Sequence, residues 1–312
     1  MKFPREEINF IFDDGGVGDN VARMPCLRYI KDHFPWVTPY LWTPDYFLEF
    51  ARNIAPDIKI YPFSQGYKKF KDKIPGRQTT MKHHDTLSTH LTDHAFHVLA
   101  NRQVKIENKN YLPLRNIDGI DITRFNLPKE YVVMTTGFTA PIREFLPQKV
   151  NTIVQYLNER NMSVVFLGSK QAITGGMSQD ITGNFNTEID YSKGLNLVDQ
   201  TSLLEAAKII AQSKAIIGLD NGLLHLAACS DVPIIGGFTS VDPWLRNPYR
   251  HNELGWNCYN VVPPDSEPEK FFQSRMDFLY EHDYRYSFYK NNNLIESLPT
   301  EDFIKYLEEV LK

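Results

Sequence analysis

Asp220, Asn221, Gly222 and His225 stand in the run Ala215-Ile216-Ile217-Gly218-Leu219-Asp220-Asn221-Gly222-Leu223-Leu224-His225-Leu226-Ala227-Ala228. An apolar stretch there gives way to Asp-Asn-Gly and then to a run of small and apolar residues. Asp220 and Asn221 both suit a helix N-cap, and Gly222 leaves room beside the first turn. The unpaired N–H groups of a helix start, at the positive end of its macrodipole, favour an anion, so this segment can seat a diphosphate. His225 lies one turn in, within reach of a phosphate or a sugar hydroxyl. The plainer reading is a capped helix with a hydrogen-bonded histidine, and the local sequence admits both.

A second such place is Gly15-Gly16-Val17-Gly18-Asp19, again between an apolar run and a helical pattern. Gly18 lets the backbone approach a ligand, and Asp19 can act as a general base toward an acceptor hydroxyl. A tight turn with Asp19 or Asn20 capping the helix explains the same residues. The dinucleotide fingerprint G-x-G-x-x-G is incomplete, because position 21 is Val. An oxidoreductase is therefore disfavoured. Two further loops follow apolar runs. Thr136, Gly137 and Arg143 can line a cleft, with the guanidinium gripping a leaving diphosphate. Gly236-Gly237-Phe238-Thr239 permits close approach to phosphate or ribose, with Thr239 as a hydrogen-bonding group. Five of the nine histidines fall at 83, 84, 90, 94 and 97. His90 and His94 share a helical face, but H-E-x-x-H is missing and no Cys is near. They read as polar decoration of a helix near the cleft, and neither a metal nor a cofactor is expected.

The elements that must carry these residues alternate. Strands are expected at 8–12, 37–42 and 58–61, with helices at 20–33 and 45–53. Pro39 weakens the second strand. Residues 64–125 are hard to read, apart from helical character at 89–101. A linker is expected at 122–131. Alternation then restarts: strands at 131–135, 163–167, 215–218 and 232–235, helices at 148–160, 202–212 and 221–229, and an amphipathic helix at 301–311. Strand–helix alternation signals parallel α/β units. The length of 312 residues suits two of them. The expected units are 1–127 and 128–312, with the last helix free to pack back on the first.

Hydrophobic residues make up 42% and charged residues 23%, enough apolar matter for a sizeable core. Net charge is −4 and no Lys/Arg block forms a nucleic-acid footprint, so nucleic acid is not an expected partner. Three widely spaced cysteines, Cys26, Cys229 and Cys258, suit a reducing compartment. No apolar run is long enough to span a bilayer, and no signal peptide is read at the start. A cytoplasmic protein is expected. A peripheral contact with the inner membrane face is left open. The Lys68–Lys73 run reads as a solvated face, and a membrane-facing role for it would follow only from a family resemblance.

Together these segments resemble glycosyltransferase family 9, the ADP-heptose:lipopolysaccharide heptosyltransferase family. The resemblance rests on Gly18-Asp19, Pro25-Cys26-Leu27 and Phe34-Pro35, on 164–168, on Asp220–Ala228, and on Gly236–Thr239 leading to Asp242-Pro243. Asn221 departs from the family's Thr or Ser. Arg143-Glu144-Phe145-Leu146-Pro147 stands in for a K-x-W-P-like segment. The resemblance implies a GT-B fold, two Rossmann-like parallel-sheet domains facing a central cleft. It implies metal-independent, inverting transfer of a heptose or hexose from a nucleoside-diphosphate sugar to a hydroxyl acceptor on a glycan, lipid or other molecule. Asp19 would be the base. Asp220 would meet the donor sugar, and Asn221, Gly222, His225 and Arg143 the diphosphate. A sugar-nucleotide epimerase of the same fold and a catalytically silent sugar-nucleotide-binding subunit stay open.

Overall fold

The computed structural model describes residues 6–12, 15–65, 77–80, 90–100, 103–136, 145–169, 174–175, 188–239, 241–264 and 294–312. Its centre is two all-parallel sheets. The first contains β1 (Glu6–Ile11), β2 (Val37–Thr43), β3 (Lys59–Pro62) and β4 (Arg77–Thr80), in the order β3-β2-β1-β4. The second contains β5 (Tyr131–Thr135), β6 (Ser163–Leu167), β7 (Leu195–Asn196), β8 (Ala215–Leu219), β9 (Ile234–Gly237) and β10 (Cys258–Val261). Its order is β10-β9-β8-β5-β6-β7. This is the doubly wound pattern, in which chain order reverses between the first strand and the fourth. Ligands bind at the carboxyl ends of the strands flanking that reversal. In the second sheet the reversal lies between β5 and β8, in the first between β1 and β4. The first sheet falls wholly within 1–127 and the second within 128–312.

Strands buried on both faces must be apolar throughout, and the central strands obey this. Every residue of β5 and of β8 is buried. Pro39 is accommodated because β3 joins β2 only from Tyr40 onward, which leaves Pro39 beside β1 alone. The strand expected at 232–235 begins two residues later. Gly236 and Gly237 lie inside β9, paired with Gly218 and Leu219 of β8, rather than in a loop after it. Strand β4 falls in the stretch that carried no readable pattern.

Among the described residues the α-helices of five residues or more are α1 (Val17–His33), α2 (Leu48–Ile54), α3 (Leu91–Ala95), α4 (Pro147–Glu159), α5 (Leu203–Ala211), α6 (Gly222–Ala227) and α7 (Thr300–Val310). Local chemistry sets several starts. Pro147 occupies the first turn of α4, where its missing N–H costs nothing. Ser202 and Glu205 cap α5 reciprocally: Glu205 N–H donates to Ser202 Oγ at 3.2 Å and Ser202 N–H to Glu205 Oε2 at 2.8 Å. The single helix expected over 89–101 is α3 followed by a π-helical turn at Phe96–Ala100. Helix α7 packs on the second sheet. Its Phe303 and Leu307 are fully buried in a core shared with α4, β8 and β10, and Phe303 meets Phe145 at 5.0 Å between ring centroids.

Another core cluster runs without a break from α1, α2 and α3 into α5 and α6, so the two sheets share one apolar seam. Helices α1 and α6 pack directly on one another across it. The chain between the sheets is laced to the second unit. Tyr111 N–H donates to Tyr249 O at 2.8 Å, Leu114 N–H to Cys229 O at 2.9 Å, and the buried Lys208 ammonium to Ile120 O. The expected linker at 122–131 contains a short 3₁₀ turn, Thr123–Phe125, whose Phe125 is buried. Gly15–Gly16 pairs antiparallel with Thr174–Gly175, a second backbone link between the two halves of the chain.

Candidate active site

Asn221 closes the reversal point of the second sheet. Its Oδ1 accepts from Leu223 N–H at 2.9 Å and Leu224 N–H at 3.4 Å, capping α6. Its Nδ2 donates to Thr135 Oγ1 at 2.9 Å, tying the carboxyl end of β8 to that of β5. A Thr or Ser could cap α6 but carries no amide for the second bond. Asp220 is buried, and its N–H donates to Gly237 O at 3.1 Å. Its Oδ2 lies 3.9 Å from Nε of Arg246, both side chains about nine-tenths buried. That distance is an ion pair without a direct hydrogen bond between those two atoms.

Asp19 occupies the third position of α1. Its Oδ2 accepts from Gly16 N–H at 2.7 Å, so one carboxylate oxygen secures the helix start. The N-cap itself is Gly16, so Asp19 supports the helix start from inside the first turn rather than as the cap residue the sequence suggested. Helix α1 begins at Val17, three residues before the expected start. Arg23, one turn on, is fully buried; its Nη1 donates to Asn20 Oδ1 at 3.3 Å. Tyr46, in the turn after β2, feels both charges. Burial and the Asp19 carboxylate push its phenol up to about 12, against the opposing pull of Arg23.

The starts of α1 and α6 meet with almost no space between them. A Cβ on Gly18 would lie 2.5 Å from Cδ2 of His225, and one on Gly222 would lie 2.8 Å from the Cβ of Val17. Each helix thus presents a glycine to a side chain of the other. This contact gathers Gly18, Asp19, Asp220, Asn221, Gly222 and His225 in one place, although two hundred positions of sequence separate the two groups. The His225 ring is buried and stacks on Tyr111 at 17° between planes, with Nδ1 at 3.0 Å from the Tyr111 hydroxyl.

Thr136 follows the end of β5 and faces β6. It is buried, its N–H donates to Leu167 O, and its hydroxyl lies beside that of Tyr191. It is Thr135, one residue earlier, that touches Asn221. Thr239 is buried just past β9. Gly137 and Arg143 lie outside the described residues, as do His83, His84 and the Lys68–Lys73 run. His90 and His94, expected as polar decoration of a helix near the cleft, are both buried. His90 Nδ1 accepts from Thr92 N–H, capping α3, and Nε2 donates to Asn247 O at 2.8 Å. Both nitrogens are engaged, and burial lowers its pKa to about 4. Among the described residues no group of three or more His, Cys, Asp and Glu is arranged to hold a metal.

Sequence reasoning missed Tyr111, Arg23 and Arg246. They are single residues in patternless or apolar surroundings, with no spacing to mark them. Thr135 stood in the polar run expected to line the cleft after its strand, and it is the member of that run that bonds Asn221.

The profile of glycosyltransferase family 9 (heptosyltransferase) matches residues 80–266 of this chain. The Gly18-Asp19 segment lies upstream of that span. Lipopolysaccharide heptosyltransferase 2 of Salmonella typhimurium (strain LT2) is 32% identical over 97 residues, 31% of this chain and 27% of that protein. Lipopolysaccharide heptosyltransferase 2 of Escherichia coli K12 is 28% identical over 163 residues, 49% of this chain and 45% of that protein. The alignments thus span less than half the length of these curated relatives. The solved structure of E. coli ADP-heptose lps heptosyltransferase II superposes with a TM-score of 0.66 at 14% identity, covering 98% of each chain. That likeness extends the shared fold over both sheets, including the segment upstream of the profile match.

Proposed function

The chain belongs to glycosyltransferase family 9, and from that premise we propose that it transfers a sugar from a nucleoside-diphosphate sugar to a hydroxyl acceptor. The observation that carries the reading is the contact of Gly18 with His225. It brings the start of α1, which carries Asp19, against the Gly222 start of α6, which supports that reading. A displacement at a sugar carbon needs a base on one side and an anion site for the leaving group on the other. Asp19 takes the proton of the acceptor hydroxyl through its remaining lone pairs. The acceptor oxygen bonds to the anomeric carbon as the bond to the diphosphate breaks, and the nucleoside diphosphate leaves with the electron pair. Gly222 N–H and His225 hold the departing phosphates, with Arg143 supplying a guanidinium. Thr136, Gly137 and Thr239 line the donor side, and Asp220 meets the donor sugar. Attack from the face opposite the leaving group inverts the anomeric centre, and no step uses a metal.

ADP-heptose is the donor we put forward. The name of the structurally similar E. coli protein supports it, as do the two named heptosyltransferases matched in sequence. The acceptor is a hydroxyl of a lipopolysaccharide-type glycan. No helix among the described residues is long and apolar enough to cross a membrane. We place the protein in the cytoplasm, where three free cysteines are chemically at ease.

The test is Asp19→Asn. It should lower sugar transfer from ADP-heptose by at least a hundredfold, a range typical of a lost general base. ADP binding by calorimetry should stay within threefold of the parent. Undiminished transfer would remove Asp19 from the chemistry. A parent protein that binds ADP and transfers to no hydroxyl acceptor would be a silent sugar-nucleotide-binding subunit.

A further inference from the structure

His225 has two ring nitrogens and the proposed reaction uses only one side of it. A neutral imidazole carries its proton on either nitrogen, and the partner of one decides the state of the other. At Nδ1 the partner is the Tyr111 hydroxyl, 3.0 Å away, with the two rings nearly parallel. Tyr111 comes from the segment joining the two sheets and is anchored there by its backbone bond to Tyr249. It is buried, and burial pushes its phenol far above the ordinary range, so the hydroxyl keeps its proton at any working pH. A phenol is a better donor than acceptor, because its oxygen lone pair is delocalised into the ring. An imidazole nitrogen without a proton is a strong acceptor. The opposite edge of His225, Cδ2 and Nε2, faces Gly18 at the seam, next to Asp19.

We propose that Tyr111 is a positioning residue for His225. It donates to Nδ1 and holds the imidazole as the Nε2–H tautomer, a standing hydrogen-bond donor toward the phosphate oxygens of the sugar nucleotide. The ligand part of this inference rests on the donor reading above; the tautomer part does not. The arrangement places the state of a donor-site group under a residue of the connecting segment. It also gives the buried Tyr111 hydroxyl a hydrogen-bond partner.

Nitrogen-15 correlation spectra of the histidine side chains test it, with His225 assigned by its disappearance in His225→Gln. The parent protein without nucleotide should show His225 as a single Nε2–H tautomer from pH 6 to 8. Tyr111→Phe, which keeps the ring and removes only the hydroxyl, should give a mixture of tautomers. Its dissociation constant for ADP should rise about tenfold, with little change in thermal midpoint. Gln at position 225 presents an amide N–H₂ whose state no neighbour has to set. In the His225→Gln background Tyr111→Phe should therefore change ADP binding by less than twofold. An Nδ1–H tautomer in the parent protein would overturn the proposal, and that measurement needs no variant to fold. So would an equal penalty for Tyr111→Phe in both backgrounds. A parent protein that binds no ADP would sink the donor reading, and the tautomer spectra would still decide the role of Tyr111.

Discussion

Asn221 shows how one side chain can serve two elements. Its carbonyl caps α6 while its amide holds β5. Asn221→Ser keeps a capping oxygen and drops the bond to Thr135, so it should cost about 1 kcal/mol. Asn221→Ala loses the cap as well and should cost about 2 kcal/mol. Urea denaturation of the two variants would show the order; a Ser variant as stable as the parent would mean the Thr135 bond contributes nothing. His90 makes a second case. Its folded pKa of about 4 lies below the ordinary histidine value of about 6.5, so the unfolded chain binds the proton more readily. Stability contributed by neutral His90 is complete above about pH 6.5 and is lost as pH falls toward 4, on the order of 2 to 3 kcal/mol by pH 4.5. His90→Asn retains a capping oxygen without titrating. The difference in unfolding free energy between pH 7 and pH 4.5 should therefore be smaller in that variant by about this amount. An unchanged difference would mean that His90 is not held neutral.

At the scale of elements, the decisive contact is the crossing of α1 and α6. A methyl at position 18 would meet the His225 ring at 2.5 Å, and that ring is boxed in by Tyr111. Gly18→Ala should therefore separate the two helix starts and cost about 1–3 kcal/mol, the usual range for overpacking. It should also weaken ADP binding, because the displaced groups are those proposed to hold it. Normal stability together with normal ADP affinity would show that the seam yields without consequence. Both helix starts were legible in the sequence, because glycine and Asp or Asn after an apolar run leave a local signature. Their mutual contact was not. Nothing near Gly18 in sequence says that a histidine two hundred residues away fills the space it leaves.

At the scale of the molecule, the two sheets share an apolar core that crosses the seam. Domains joined by a polar hinge unfold separately, whereas units sharing a buried core unfold together. Scanning calorimetry should give a single transition with matching calorimetric and van't Hoff enthalpies. Two resolved peaks would mean that the seam is weaker than its burial suggests. Saturating ADP, at about a hundred times its dissociation constant, should add about 2.7 kcal/mol to that one transition, since its proposed site is built from both units.

The sequence by itself determined what short-range chemistry determines. Apolar runs of five residues specified the central strands, the Asp-Asn-Gly and Gly-Asp segments specified the helix starts, and their alternation specified two parallel units. The motif around Asp220, taken together with the Gly18-Asp19 and Gly236–Thr239 segments, pointed to the family. Patterns of period 2 and 3.6 and capping preferences are local, so they survive in a linear string. The tertiary structure decided the rest. It set the order of strands and hence the reversal points. It placed α7 on the second sheet, because that is where Phe303 and Leu307 find a shared core. It turned His90 and His94 inward, where a nearby carbonyl could satisfy His90. It brought Tyr111, Arg246 and Arg23 to the site through burial and distance, which depend on residues far apart in the chain and so leave no mark in any one stretch of it.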